Sequence, residues 1–281
     1  MRLFFGFCLL LSHPVFANST LSTQIHKIDS SSVQGEEALV FMSDGRVGRI
    51  SPFNLELIER LKSAQETNQL MKLTLSDKTE ILSAEEDSSK AALAPGEEIS
   101  TSLLEYNSSV IKSIDEARSI FRDHRVAKEG ETQCFNRAQV WAYDWRVQRN
   151  IYSNKIWIFF TAKYIRKYTF EWWFHVAPMI HVNVDGVIKE RVMDMKYARG
   201  PLATKQWTDI FMKDNAACPT VITYSDHADY PETGSCFIQK TSMYFYQPID
   251  LEFQEKFGTV KTGWVAQEVR QAYEEAFGIN L

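Results

Sequence analysis

A tight turn at Asp185-Gly186 separates two long strand-like segments and fixes how they pair. The first segment covers residues 169–183 and the second covers residues 187–195. Asp-Gly is a strong hairpin signal because both residues readily adopt the positive φ angles of a two-residue turn. A hairpin through this turn pairs residues whose numbers sum to about 370, so His175 is expected beside Asp194. The sequence thus predicts antiparallel strands that bring an imidazole and a carboxylate together.

A cysteine begins the helix-like segment that precedes this hairpin. Cys134 opens that segment, which runs to about Trp145. A helix N-terminus favours a thiolate through its unpaired N–H groups and its dipole, and the Cys134 backbone N–H is placed to stabilise an oxyanion. His175 would accept the thiol proton, and Asp194 would fix the imidazole tautomer. These three residues are the candidate catalytic triad.

Less specific interpretations remain for each residue alone. A single histidine in an aromatic strand is more often structural than catalytic, and an aspartate at a strand end is usually a turn residue. His181 is a competing histidine, but it lies closer to the hairpin turn. No close pair of metal ligands such as C-x-x-C or H-x-x-x-H occurs, so we expect no metal site and no cofactor. Only the combination of the three residues favours catalysis.

The first 17 residues have the pattern of a secretory signal peptide. Arg2 precedes an apolar run over residues 3–11, and Val15-Phe-Ala17 provides a cleavage site. An apolar N-terminal core segment is the alternative. No later run is long and apolar enough to span a membrane, so the sequence predicts a secreted or periplasmic protein without a membrane partner after cleavage.

Cysteine counting separates one thiol from the others. Cys8 leaves with the signal peptide, and Cys134, Cys218 and Cys236 remain. An odd count in an exported protein suggests one disulfide and one free thiol. Cys218 and Cys236 flank a loop-like segment and are the expected pair, which leaves Cys134 free. The alternative is that Cys134 is disulfide-bonded or an inert buried thiol.

Composition divides the remaining chain into two domains and a linker. Residues 18–82 have a ββαββ-like pattern with an Asp44-Gly45 turn and no catalytic candidate. Residues 83–100 are acidic, rich in small residues and broken by Pro95-Gly96, which is typical of an exposed linker. Residues 101–281 contain most of the aromatic residues and therefore the larger core. The net charge of −5 and the lack of a basic tract argue against a nucleic-acid partner.

Helices followed by consecutive antiparallel strands favour an α+β fold. The order of cysteine, histidine and aspartate is that of papain-like and transglutaminase-like enzymes, in which the cysteine helix packs on an antiparallel sheet. A small α+β unit precedes this core. Trp172 and Trp173 point to opposite sides of their strand. Both are candidate substrate-binding residues, since either could line a substrate channel, and at least one of them is expected to pack in the core.

Three motifs resemble those of the bacterial protein glutaminases, or protein-glutamine deamidases. They are Cys134-Phe-Asn-Arg-Ala-Gln139, Trp172-Trp-Phe-His-Val-Ala177 and Glu190-Arg-Val-Met-Asp194. Pro201, Trp207 and Cys218 continue the resemblance, which extends from about residue 130 to residue 236.

The resemblance implies hydrolysis of the side-chain amide of protein-bound glutamine to glutamate and ammonia. It also implies the roles of nucleophile, acid/base and orienting residue for Cys134, His175 and Asp194, and a secreted proenzyme in which an N-terminal pro-region covers the cleft. The expected partners are glutamine-bearing proteins or peptides and the intramolecular pro-domain of a monomer.

This chain departs from the family pattern at Gln139, where the family has histidine, and in having fewer cysteines and bulkier residues around His175.

Other functions are compatible with the same residues. The chain could be a transglutaminase-like acyltransferase or a cysteine protease that uses the same triad, or a secreted binding module with an inactive triad. Residues 18–100 could have an adaptor role instead of an inhibitory one.

Overall fold

The computed structural model describes residues 18–30, 35–77, 79–88, 98–100, 108–129, 132–224, 234–261 and 267–281. It has the expected α+β fold, with helices packed on antiparallel sheets. The expected signal peptide (residues 1–17) and the linker segment 89–97 lie outside the described residues.

The secondary structure follows in chain order. The strands are β1 (Ser19–Asp29), β2 (Ala38–Met42), β3 (Val47–Ile50), β4 (Leu70–Leu75), β5 (Ile81–Glu86), β6 (Glu98–Ser100), β7 (Val110–Ile111), β8 (Asn154–Phe160), β9 (Phe174–Val184), β10 (Val187–Val192), β11 (Thr220–Val221), β12 (Cys236–Ser242) and β13 (Thr259–Lys261). The helices are α1 (Leu55–Glu66), α2 (Ile114–Arg122), α3 (Cys134–Arg149), α4 (Ala162–Tyr168), α5 (Thr204–Thr208), α6 (Pro248–Phe257) and α7 (Gln267–Phe277).

The larger sheet supports the candidate site. Its strand order is β10-β9-β8-β12-β11, and β7 pairs in parallel with the part of β9 that extends beyond β8. All seven residues of the central strand β8 are buried, because both faces of a central strand can be covered by packed elements. The sheet is therefore a rigid base for the residues on β9.

Helix α3 is buried on several sides, which explains why it shows no simple amphipathic stripe. Eleven of its sixteen residues are buried. Phe135 and Val140 pack into the main core, whereas Trp141 and Trp145 pack into a second cluster. Asn150, in the left-handed conformation at φ 54°, ends the helix, as is common for a C-terminal cap. The position of Cys134 is thus fixed by contacts along the whole helix.

Several elements differ from the sequence predictions. Helix α4 precedes β9, so that strand begins at Phe174 and not at residue 169. The apolar run over residues 242–246 predicts a strand, and this prediction is wrong: β12 ends at Ser242, and Met243, Phe245 and Tyr246 are buried in a loop before α6. A short apolar run has no periodicity that separates a strand from a buried loop.

The N-terminal part of the chain forms its own sheet in the order β3-β2-β1-β4-β5, from Ser19 to Glu86. Strand β1 was not predicted, and α1 packs on the sheet through Leu57, Ile58, Leu61 and Ala64. Strand β5 continues through Glu86, so the predicted linker start at residue 83 falls inside the sheet. At the other end of that linker, β6 pairs with β13.

One charged side chain lies inside the core beneath α3. Lys155 on β8 is fully buried, and its Nζ donates hydrogen bonds to Gln139 Oε1 and to the Phe245 carbonyl. Burial lowers the pKa of Lys155 to about 7, although the charges of Asp250, Glu268 and Cys134 act in the opposite direction. The unfolded chain therefore binds more protons at this residue than the folded chain between about pH 7 and the ordinary lysine pKa.

We predict that Lys155→Met changes the pH dependence of stability. In the wild type this lysine makes the folded state progressively more stable as pH rises from 7 to 10, because the free-energy cost of releasing its proton on folding falls as pH approaches the ordinary lysine pKa. The unfolding free energy of Lys155→Met minus that of the wild type should therefore decrease over this interval. Urea titrations at pH 7 and pH 10 measure it, and a difference that stays constant would contradict the prediction.

Candidate active site

The structure brings Cys134, His175 and Asp194 together. Cys134 is the first residue of α3, and its thiol lies close enough to the His175 imidazole to interact with it. The other side of that imidazole meets Asp194, with 2.7 Å between His175 Nε2 and Asp194 Oδ2. All three residues are buried. The arrangement is a continuous chain of thiol, imidazole and carboxylate.

The hairpin register places the carboxylate. In β9 and β10 the paired residue numbers sum to 371, as in Met179 with Val192, one more than the predicted sum of about 370. The Met193 N–H still donates to the Pro178 carbonyl at 2.8 Å, after which the chain turns. The Lys196 N–H donates to Asp194 Oδ1 at 3.3 Å, so Asp194 is held at the start of that turn and not within the strand.

Trp207 on α5 provides a second anchor for the carboxylate. Its Nε1–H donates to Asp194 Oδ2 over 2.9 Å, and the side chain is fully buried. Burial alone would raise the pKa of Asp194, but the charge of His175 and the hydrogen bonds from His175 and Trp207 lower it below its usual range. The motif resemblance included Trp207, but the sequence did not reveal this contact with the carboxylate.

Aromatic side chains enclose the imidazole. The ring centroids of Phe211, Tyr197 and Trp207 lie 4.7, 5.1 and 5.8 Å from that of His175. Burial alone would lower the pKa of His175, but the charge and hydrogen bond of Asp194 and the contact with Cys134 raise it to about 9. At neutral pH the imidazolium form of His175 is therefore favoured.

A pocket of about 350 Å³ opens onto Cys134 and His175, whereas Asp194 lies behind the imidazole and does not line it. Trp172 lines it, whereas Trp173 is buried on the other side of the segment and its Nε1–H donates to the Met42 carbonyl at 2.8 Å. The tentative role of Trp173 in substrate contact is therefore not supported by its position. The pocket-lining residues are Thr132, Cys134, Arg137, Phe160, Thr169, Phe170, Glu171, Trp172, His175, Tyr197, Phe211 and Lys213.

The N-terminal unit contacts the segment that lines this pocket. The Val47 N–H donates to the Glu171 carbonyl at 2.7 Å, and the Trp173 N–H donates to the Gly45 carbonyl at 3.0 Å. A Cβ atom on Gly45 would lie 3.2 Å from Phe174 and 3.3 Å from Trp172, so the Asp44-Gly45 turn packs tightly beside the pocket wall. The two parts of the chain thus meet two residues before His175.

The remaining cysteine and histidine predictions concern residues outside the triad. The expected disulfide between Cys218 and Cys236 is present, and Cys134 is a free thiol. His181 pairs with Glu190 across the hairpin and hydrogen-bonds to the Ser108 hydroxyl, and it does not line the pocket.

The described residues hold neither a metal-binding cluster nor a membrane-spanning helix. Within this part of the chain, no cluster of three or more His, Cys, Asp or Glu side chains has a metal-binding arrangement. The helices that the structure describes include none of sufficient length and hydropathy to span a membrane.

The fold and the site define a class of protein: an α+β protein with a buried thiol, imidazole and carboxylate at one pocket. The model of a family described as Glutaminase matches residues 110–211, a segment that contains all three residues. Curated proteins provide no match to the chain.

Two solved structures have a similar fold. The crystal structure of a pro-protein-glutaminase is 14% identical and covers 92% of each chain, with a TM-score of 0.53. The crystal structure of the A47Q2 mutant of pro-protein-glutaminase is 17% identical and covers 82% of this chain and 85% of its own, with a TM-score of 0.50. These similarities support the fold, and the family match agrees with the resemblance of the three sequence motifs to the protein glutaminases.

We predict that replacing Asp194 and replacing Trp207 slow the alkylation of Cys134 to different extents. Asp194→Asn removes the charge that favours the imidazolium and should slow alkylation of Cys134 by iodoacetamide at pH 7 by about 10³-fold or more, a loss comparable to that in other triads. Trp207→Phe keeps the charge and removes one hydrogen bond, so about tenfold is expected. Alkylation rates from pH 6 to pH 10 measure both effects, and equal rates for Asp194→Asn and the wild type would refute the assignment of Asp194.

Proposed function

We propose that this chain is a secreted protein-glutamine glutaminase that is made as a proenzyme. It hydrolyses the side-chain amide of protein-bound glutamine to glutamate and ammonia. The observation that carries the proposal is the juxtaposition of Cys134 and His175 at one pocket, with Asp194 hydrogen-bonded to the imidazole, within the segment that matches the glutaminase family model.

In the first half of the proposed reaction, the Cys134 thiolate attacks the glutamine Cδ, and the C=O electron pair moves to the oxygen. The Cys134 backbone N–H at the start of α3 is placed to stabilise this oxyanion. The imidazolium of His175 then gives its proton to the amide nitrogen, so that ammonia leaves and a thioester remains.

In the second half, water enters where ammonia left. Neutral His175 takes a proton from this water as it attacks the thioester carbonyl. Collapse of the second tetrahedral intermediate expels the Cys134 thiolate and leaves glutamate. Asp194 stabilises the imidazolium in both halves and keeps the ring in one orientation, while remaining ionised.

The N-terminal unit is proposed to act as an intramolecular pro-domain. In this account residues 1–17 are a signal peptide, residues 18–82 inhibit, residues 83–100 include the linker that is cut, and residues 101–281 are the catalytic domain. The contacts of Gly45 and Val47 with the segment before His175 support this role. Three independent salt-bridged or hydrogen-bonded contacts hold the unit in place: Asp29 with Arg166, His26 with Tyr224, and Arg49 with the Ile165 carbonyl.

We predict that the linker-cleaved protein releases ammonia from a glutamine-rich protein such as a casein, and that Cys134→Ala releases none above background. A glutamate dehydrogenase assay measures the ammonia, and mass spectrometry should find a gain of about 1 Da at each converted glutamine. New N-termini would indicate a protease, and substrate crosslinking would indicate an acyltransferase; either result without ammonia from hydrolysis would refute the glutaminase assignment.

The proenzyme role requires a separate test. We predict that intact chain, with residues 18–100 attached, releases ammonia at least about tenfold more slowly than the cleaved chain, because the attached unit is present at high effective concentration beside the pocket. Equal rates before and after cleavage would refute inhibition by the N-terminal unit and would leave the glutaminase assignment standing.

A further inference from the structure

A charged residue near the start of α3, Arg137, also lies at the candidate active site. Arg137 is three residues after Cys134 and therefore lies on the same side of the helix. Helical side chains lean towards the N-terminus, and the Arg137 guanidinium reaches back over the first turn. Its Nη1 donates to the Thr132 carbonyl and, at 2.8 Å, to the Thr132 hydroxyl. The guanidinium is thus held at the level of Cys134.

This cation is buried without a carboxylate in direct contact. Arg137 is only 3% exposed, and its Nε has no hydrogen-bond partner among the described residues. None of the ion pairs within 4 Å in the described part of the chain includes it. Its charge acts on Asp194, but the Asp194 Oδ2 atom is bonded to His175 and Trp207. Hydrogen bonds to Thr132 do not neutralise this charge, and a buried charge without a counter-ion beside it is costly, so the site can accommodate an anion.

The position of the cation makes this cost larger. The N-terminus of α3 already carries the positive end of the helix dipole, so an arginine is unfavourable there unless a negative charge is also present. Arg137 lines the same pocket as Cys134 and His175. Lys213, the other cation that lines the pocket, is exposed and contacts the Tyr168 ring and carbonyl. Of the two cations, Arg137 is the buried one. Because the attraction between opposite charges is stronger away from water, Arg137 is the cation that would bind an anion.

We propose that Arg137 is a further catalytic residue, whose guanidinium binds the oxyanion formed at the substrate carbonyl and then the carboxylate of the product. The proposal rests on the proposed glutaminase function. When the Cys134 thiolate attacks, its negative charge moves to the carbonyl oxygen, which faces the guanidinium and the helix N-terminus. When the thioester is hydrolysed, the newly formed carboxylate occupies the same position until it leaves.

The charge of an alkylating reagent tests this site without the glutaminase reaction. Iodoacetate and iodoacetamide transfer nearly isosteric groups to the Cys134 sulfur, but only iodoacetate carries a carboxylate. We expect the ratio of their rate constants, iodoacetate over iodoacetamide, to be at least about tenfold higher for Cys134 than for a small free thiol, since a local cation concentrates the anion. Peptide mapping assigns the label to Cys134, and a ratio no higher than that of the free thiol would overturn the proposal even without a variant.

Matched variants separate Arg137 from the imidazolium, which also attracts anions. Arg137→Met should reduce the ratio by about tenfold, and Arg137→Lys should retain most of it, because the charge is kept. Lys213→Met removes one charge from the same pocket and should change the ratio by less than about twofold, since exposed charges are screened. An unchanged ratio in a folded Arg137→Met would mean that the residue only supports the loop at Thr132.

The substrate assay completes the test. For the linker-cleaved enzyme, Arg137→Met should lower kcat for ammonia release by about 10²-fold or more with a smaller change in KM, as expected for an interaction made mainly in the transition state. Ammonia release by the wild type with no reagent preference would refute the anion site alone. A reagent preference without ammonia release would refute the glutaminase function alone.

Discussion

The buried hydrogen bond between His175 and Asp194 is the interaction on which the site depends. Both groups are almost inaccessible to water, so neither charge is stable without the other. Their pairing keeps the imidazole protonated at neutral pH and leaves its other side for the Cys134 thiol. The fold supplies what this pair requires: a rigid strand for His175, a turn and Trp207 for Asp194, and aromatic rings that exclude water.

The electrostatics of the site are organised around one helix end. The N-terminus of α3 and the Arg137 guanidinium are both positive, while Asp194 is negative and hydrogen-bonded to the imidazolium. Such an arrangement favours negative charge at the sulfur and, after attack, at the substrate oxygen. The N-terminal unit does not supply any lining residue of the pocket among the described residues, but it is hydrogen-bonded to the pocket wall through Gly45 and Val47.

Local sequence signals predicted the central part of this arrangement. Asp185-Gly186 fixed the hairpin to within one residue of its register, and cysteine counting separated the thiol from the disulfide. The contacts of Trp207 and Arg137 were not predictable, because they depend on where α5 and the first turn of α3 lie in space. Helices α4 and α6 were not predicted. The apolar run at 242–246 predicted a strand but forms a loop after Ser242, because buried loops and buried strands have similar apolar composition.

The pKa of His175 tests the account most directly. NMR titration of the wild-type protein, with the imidazole resonances assigned by comparison with His175→Gln, should give a pKa of about 9. Asp194→Asn should lower that value markedly, because burial then acts without the compensating carboxylate. A wild-type His175 pKa at or below about 6.5, the value of an unperturbed histidine, would contradict the proposed imidazolium and with it the activated thiol.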